Sequence, residues 1–199
     1  MQERLRGTGA GNKVLSNVFT KRDTNWRQHL RQFLTEISEG DEQSRFSPPN
    51  KRLMPAGYIL PSHFSEASGE IIIAADTSGS MGGVYPLLFG EVARICEHVR
   101  PDSVRVLWWD SAVAGDQQFK PQDYDKIAKI LKPAGGGGTT VSCVANYIKE
   151  KQYKPKAVIY LTDGYIESEY IMPTSPVLWG VVDNDNFVGK KGKTIRIYS

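Results

Sequence analysis

From Glu70 onwards the chain alternates apolar runs of strand length with amphipathic helical stretches, and no other feature of the sequence narrows the fold so far. Residues 71–75, IIIAA, are continuously apolar and β-branched at the start, as a parallel strand buried on both faces should be. Residues 104–109, 157–161, 177–182 and 194–198 read as further strands, and residues 112–119 as holding a short edge strand behind a turn at Gly115. Between the strands, Leu88, Val92, Ile95, Cys96 and Val99 fall at helical steps. Residues 124–131 and 141–151 also read as helices, the second with Val141, Val144, Ala145 and Ile148 turned inward. This alternation implies an α/β fold: a doubly wound, mostly parallel six-stranded sheet with helices on both faces and one antiparallel edge strand. In such a sheet a ligand site lies beyond the carboxyl ends of the central strands, where the strand order reverses.

The first 69 residues have a different character. MQERLRGTGAGN is polar and glycine-bearing, and is expected to be poorly ordered. Residues 13–37 read as a helix whose apolar face is Trp26, Leu30, Phe33, Leu34 and Ile37, with Gly40 as its stop. Residues 44–69 are rich in proline, glycine and serine and read as an irregular connection with one hairpin around residues 58–60. The chain therefore divides into an arm, 1–69, and an α/β domain, 70–199. The arm is expected to pack on the domain's flank or to be the tail of a missing upstream domain.

A chain of 199 residues, with 40% hydrophobic and 24% charged residues, is long enough and apolar enough for one well-buried domain. Its formal net charge of +3 is too mild to argue for nucleic acid. The basic run GKKGKTIR, residues 189–196, lacks an aromatic stacking platform and reads as a solvated turn before the last strand. Cys96 and Cys143 do not make a disulfide framework, which favours a reducing compartment. There is no basic cap followed by an apolar leader at Met1, and no apolar stretch near the roughly 18 residues that span a bilayer. A cytoplasmic protein without a membrane partner is expected.

The chemistry lies in three loops. Asp76-Thr77-Ser78-Gly79-Ser80 directly follows the strand IIIAA, Gly135-Gly136-Gly137-Gly138-Thr139-Thr140 enters a helix, and Leu161-Thr162-Asp163-Gly164 closes the strand AVIYL. Their side chains are hard oxygen donors, the ligands preferred by magnesium, manganese and calcium. The alternation of Asp76, Ser78 and Ser80 lets one loop aim several oxygens at one centre, and the glycine run brings the Thr139 hydroxyl close. With few negative charges, such a site leaves an ion electrophilic and open to an outside ligand.

Competing readings of these residues are weaker. DTSGS by itself would also serve as a helix cap or a phosphate-binding turn. GGGGTT lacks the Gly-Lys-Ser/Thr ending of a nucleotide loop. A Ser78 nucleophile would need a histidine base, and His29, His63 and His98 lie in helices or a polar loop without a suggestive neighbour. No His-Glu-x-x-His motif is present. Asp110, at the end of VRVLWW, is balanced between a ligand-facing acid and a turn former. Glu167 and Glu169 read as a solvated loop, and Trp108, Trp109 and Trp179 as core.

D-T-S-G-S, G-G-G-G-T and L-T-D-G, in this order on these elements, resemble the metal-ion-dependent adhesion site of the von Willebrand factor A (VWA) family, over roughly residues 70–199. The resemblance implies a Rossmann-like VWA sandwich in which Ser78, Ser80 and Thr139 coordinate an ion directly or through water, and Asp76 and Asp163 supply the carboxylates. It further implies Mg²⁺, with Mn²⁺ or Ca²⁺ as alternatives, and a partner protein whose carboxylate completes the metal shell. More narrowly, DTNWRQHLRQFL, the proline-rich approach to IIIAADTSGSM, and WWDSAV resemble the VWA-like half of a bacterial and phage family in which a predicted metallopeptidase domain comes first. That likeness implies work beside a MoxR-type AAA+ ATPase. Aspartate often follows the motif threonine in related domains, whereas Thr140 stands here. The function expected is cation-dependent protein binding, without enzymatic activity of the chain itself. Two rivals are a metal-dependent hydrolase or peptidase system with its peptidase half encoded elsewhere, and an RNA-associated VWA module.

Overall fold

The structure, a computed structural model, describes residues 25–39, 44–45, 62–63, 69–129 and 138–198. In chain order the elements are α1 (Asn25–Glu39), the two-residue strands β1 (Ser44–Arg45) and β2 (Ser62–His63), β3 (Glu70–Asp76), α2 (Tyr85–Val99), β4 (Ser103–Trp109), β5 (Val113–Phe119), α3 (Tyr124–Ile127), α4 (Ser142–Glu150), β6 (Ala157–Thr162), β7 (Val177–Val182) and β8 (Lys193–Ile197). β1 and β2 pair only with each other, antiparallel.

The other six strands form one sheet in the order β5-β4-β3-β6-β7-β8. All its pairings are parallel except β4 with β5. β3 sits between β4 and β6, and its residues from Ile71 to Asp76 are all buried, which is why its sequence shows no polar alternation. The order reverses between β3 and β6, so the gap beyond their carboxyl ends is the natural ligand position of this topology.

Alternate residues of the strands feed two cores. On one face Ile71, Ile73, Val104, Val106 and Trp108 pack with Leu88, Phe89, Val92 and Ile95 of α2. Trp26, Leu30, Phe33 and Leu34 of α1 join the same core, so the helix upstream of residue 70 buries its apolar face in the domain. On the other face Ile72, Ala74, Leu107, Trp109, Tyr160 and Trp179 pack with Val144 and Ile148 of α4 and with Val141 just before it. That face has no further helix among the described residues, because the connections from β6 to β7 and from β7 to β8 run without one. Ile166, Tyr170, Met172 and Phe187 from those connections pack over it instead.

Two local expectations are corrected. Gly115 is no turn: it lies inside β5, opposite Trp108, where an added Cβ would sit 3.0 Å from the indole Cδ1. The glycine is there to admit the tryptophan, and the turn falls at residues 110–112. The helix expected over 124–131 is a single turn, Tyr124–Ile127, with residues 130–131 outside the described set. The readings for residues 1–24, Gly40, the hairpin at 58–60, and Gly135, Gly136 and Gly137 also lie outside the described residues.

Candidate functional site

β3 ends on Asp76, a carboxylate with no exposed surface. Its two oxygens are each engaged: Oδ1 accepts from the Ser78 backbone N–H at 2.9 Å and Oδ2 from the Thr162 hydroxyl at 2.9 Å. Thr162 is the last residue of β6, so this bond ties the two central strands together across the switch point. Thr77 points the other way, its N–H and hydroxyl both donating to the Trp109 carbonyl at 2.8 and 3.2 Å. The chain then enters a single 3₁₀ turn, Gly79–Met81, which presents Ser78 and Ser80 on one side.

The Ser78 and Ser80 hydroxyl oxygens are 3.2 Å apart, and Ser80 donates to Asp163 Oδ2 at 2.5 Å. Asp163 Oδ1 accepts from the Tyr165 N–H at 3.1 Å, and Asn184 Nδ2 donates to the Asp163 carbonyl at 2.9 Å. Gly164 adopts φ +81, and a Cβ there would lie 2.9 Å from both Asn184 Nδ2 and Phe187 Cβ. Glycine thus lets the loop after β6 press against the loop after β7. The Thr139 hydroxyl donates to the Tyr165 carbonyl at 2.5 Å, which leaves its oxygen lone pairs available.

The structure therefore brings Ser78, Ser80 and Asp163 into one hydrogen-bonded group, with Asp76 behind it and Thr139 joined through the Tyr165 backbone. Asp110 is a turn former, its Oδ1 accepting from the Ala112 N–H at 3.1 Å and from the Ser111 hydroxyl at 3.2 Å. Its carbonyl accepts from the Thr140 N–H at 2.8 Å and so positions the Thr139 loop. His29 and His98 are exposed on helices. Glu169 is exposed and ion-paired with Lys190 at 2.8 Å.

Glu167 departs from the solvated-loop reading. It is half-buried, and its Oε1 accepts from the Ser142 N–H at 3.0 Å and the Ser142 hydroxyl at 2.7 Å. A carboxylate at the first turn of α4 satisfies an orphan N–H and complements the helix dipole. Glu167→Ala should cost about 1 kcal/mol of stability in denaturant unfolding, the usual loss for a removed cap. An unchanged midpoint would show that solvent caps α4 equally well.

Sequence reading also missed Thr162, Asn184 and Tyr85, whose hydroxyl donates to the Asp76 carbonyl. Thr162 had a signal, lying within the LTDG motif itself, whereas Asn184 and Tyr85 reach the site only through the fold.

Electrostatically the site is poised for positive charge. Burial pushes the Asp76 carboxyl above the ordinary aspartate range, the bonds from Ser78 and Thr162 oppose that shift, and the charge of Asp163 adds to it. Burial likewise raises the Tyr85 hydroxyl, with the charges of Asp76 and Asp163 adding, so it remains a neutral donor. The oxygen set fits a hard divalent ion. Adjacent ligands of an octahedral Mg²⁺ are about 3.0 Å apart for metal–oxygen bonds of about 2.1 Å, close to the Ser78–Ser80 separation of 3.2 Å.

A sheet in this order, with hydroxyl-bearing loops meeting beyond β3 and β6, defines a VWA-like α/β domain. The chain belongs to the VWA-like domain family (DUF2201), whose model matches residues 71–197. No curated protein matches the chain. Among solved structures it is similar to an aerotolerance-related membrane protein from Bacteroides fragilis, at 14% identity and TM-score 0.44, covering 65% of this chain and 91% of that one. It is also similar to the RO (RSR) protein of Deinococcus radiodurans, at 12% identity and TM-score 0.48, covering 94% of this chain and 52% of that one. A third is the ArnB paralog VWA2 from Sulfolobus acidocaldarius, at 10% identity and TM-score 0.40, covering 63% of this chain and 38% of that one. The chain thus spans about half of the Deinococcus protein and 38% of the Sulfolobus one. Among the described residues no helix is long and apolar enough to cross a membrane.

Proposed function

We propose that the chain is a divalent-cation-dependent protein-binding module that recognises an acidic residue of a partner. The observation that carries this reading is the convergence of Ser78, Ser80 and Asp163, linked at 3.2 and 2.5 Å, beside the buried Asp76 at the switch point of the sheet. Ser78, Ser80 and Thr139 would hold the ion through their hydroxyl oxygens. Asp76 and Asp163 would balance its charge, and the bonds that Asp76 accepts from Ser78 and Thr162 keep it aimed there. A bound Mg²⁺, or Mn²⁺ or Ca²⁺, supplies a Lewis-acidic position at which a partner carboxylate exchanges with water. The ligand hydroxyls are neutral, so the charge available to an incoming carboxylate is larger than in a carboxylate cage.

The resemblance of the sequence to metallopeptidase–VWA proteins makes a MoxR-type AAA+ ATPase the partner class to test first. We place the protein in the cytoplasm, because Cys96 and Cys143 are both free, as thiols are in a reducing compartment.

Thermal melting in EDTA and then in Mg²⁺, Mn²⁺ or Ca²⁺ tests the reading. An ion at a hundredfold excess over its dissociation constant stabilises by about 2.7 kcal/mol, or about 5–10 °C for a chain of this size. That shift is expected in wild type and absent in Ser78→Ala. A wild type that melts at one temperature in EDTA and in millimolar cation alike contradicts it.

A further inference from the structure

We propose that the groove between α4 and the link from β6 to β7 is a second docking surface, which takes an acidic partner segment bearing bulky apolar side chains. It uses none of Asp76, Ser78, Ser80, Thr139 and Asp163, and so needs no cation.

The groove exists because the link from β6 to β7 forms no helix. Residues 171–175 instead run beside α4 and its exit, and the two walls are tied together at each end. At one end the Ile171 N–H donates to the Ser142 hydroxyl at 3.0 Å. At the other the Ser175 hydroxyl donates to the Pro155 carbonyl at 2.7 Å. Between these ties lies a cavity of about 680 Å³, inside the range of about 300–1,000 Å³ usual for ligand sites. Both walls are held from behind. Lys191 Nζ donates to the Pro173 and Thr174 carbonyls at 2.6 and 2.8 Å. The Tyr153 ring lies 4.1 Å from the Arg105 guanidinium carbon, and its hydroxyl donates to Asp116 at 2.9 Å. A shape fixed in this way needs little ordering when a ligand arrives.

The lining selects the occupant. Ala145, Ile148, Pro155 and Pro173 are buried at its floor, Met172 is half-buried, and Ile171 stands 59% exposed at its rim. A lone exposed isoleucine is ordinary, but one bordering a preformed apolar cavity marks surface that a partner covers. The charged side chains of the lining are Lys149 and Lys154, with no aspartate or glutamate among them. Both lysines are exposed, and the ion pairs of the described residues leave both out. The groove is thus apolar inside and positive at its rim, the complement of a segment in which carboxylates flank leucine-like residues. A detached small ligand is enclosed over most of its surface. This groove stays open where Asn146, Lys149, Gln152, Lys154 and Thr174 are exposed, which suits a chain that passes across it.

Methionine methyl groups labelled with ¹³C supply two reporters: Met172 lines the groove, and Met81 is buried in the 3₁₀ turn of the candidate site. The probe is N-acetyl-Asp-Glu-Leu-Leu-Glu-Asp amide, added to the full chain in EDTA at low salt. The Met172 signal should shift and saturate while the Met81 signal stays in place. Changing both leucines of the probe to glycine, or its four acids to lysine, should weaken binding on the order of tenfold. Lys149→Glu combined with Lys154→Glu should weaken the acidic probe by about the same factor. Lys149→Gln combined with Lys154→Gln should fall between that variant and wild type. A Met172 signal that ignores the acidic probe, answers all three peptides alike, or responds undiminished in the double glutamate variant overturns the docking surface. A Met172 signal that moves with protein concentration alone assigns the groove to a second copy of the chain and overturns it too. The Mg²⁺-induced melting shift of the wild type reports separately on the cation site, so either reading can fail while the other stands.

Discussion

Trp108→Ala should lower the unfolding free energy by about 4 kcal/mol, in line with other large-to-small changes of buried aromatics. Trp108 is 1% exposed and sits edge-on to Tyr85 and Phe89, with centroids 5.0 and 5.4 Å away. On its other side Gly115 supplies the space for the indole. An alanine would leave a cavity enclosed by α2, β4 and β5, elements that cannot close on it without shifting the sheet. The loss should reach the candidate site as well, because Tyr85 donates to the Asp76 carbonyl and would lose its packing partner. Guanidinium unfolding would show the change as a lower midpoint at nearly constant slope. Trp108→Phe should cost much less, since the Trp108 Nε1 hydrogen is buried with no partner among the described residues and phenylalanine removes it. If Trp108→Ala loses less than about 1 kcal/mol, the core described here is packed around something else.

Asp76→Asn should have opposite consequences with and without cation. In the cation-free protein, burial raises the Asp76 carboxyl above its ordinary value, because the charged form is the one that burial penalises. A folded-state pKa raised in this way contributes stability below the unfolded value, and that stability is lost as pH rises through the folded value. Above the folded value the buried charge is therefore a liability, and asparagine relieves it. The amide oxygen can still accept from the Ser78 N–H, and Thr162 can turn its hydroxyl to accept from the amide. In EDTA at pH 7 the variant should melt at or above wild type. In Mg²⁺ at a hundredfold excess over the wild-type dissociation constant it should lack the gain of about 2.7 kcal/mol that wild type receives, and so fall below it. A variant that melts well below wild type in EDTA would mean that Asp76 serves the fold and not an ion.

Much of this fold is legible in the sequence, for a physical reason. Parallel strands covered on both faces must be apolar at every position, so IIIAA, AVIYL and VLWGVV announce themselves and their bounds agree with β3, β6 and β7 within a residue or two. Edges are harder. In β5, VAGDQQF, a glycine that accommodates an indole across the strand pair looks the same in sequence as a glycine that turns the chain. The candidate site is legible where it is local. Asp76, Ser78 and Ser80 share one loop, and Thr162 and Asp163 another, so motif spacing finds them. Asn184, Tyr85 and Glu167 are not found that way, because each acts across more than one element: on the Asp163 carbonyl, on the Asp76 carbonyl and on the first turn of α4. The second face of the sheet carries a helix, α4, as the sequence implies. In the connections after β6 and β7 it is covered by Ile166, Tyr170, Met172 and Phe187 without a helix, and no periodicity marks such a segment beforehand.

The central claim is that neutral hydroxyls beside two aspartates hold a cation with a position left open to a partner carboxylate. Titrating Mn²⁺ into the protein while following water-proton relaxation measures both halves of it at once. The account predicts one saturable site with enhanced relaxation, since bound Mn²⁺ keeps exchanging water, a partial loss of that enhancement on adding N-acetyl-Asp-Leu amide, and no such site in Ser78→Ala. A wild-type titration that matches Ser78→Ala throughout the millimolar range would contradict it.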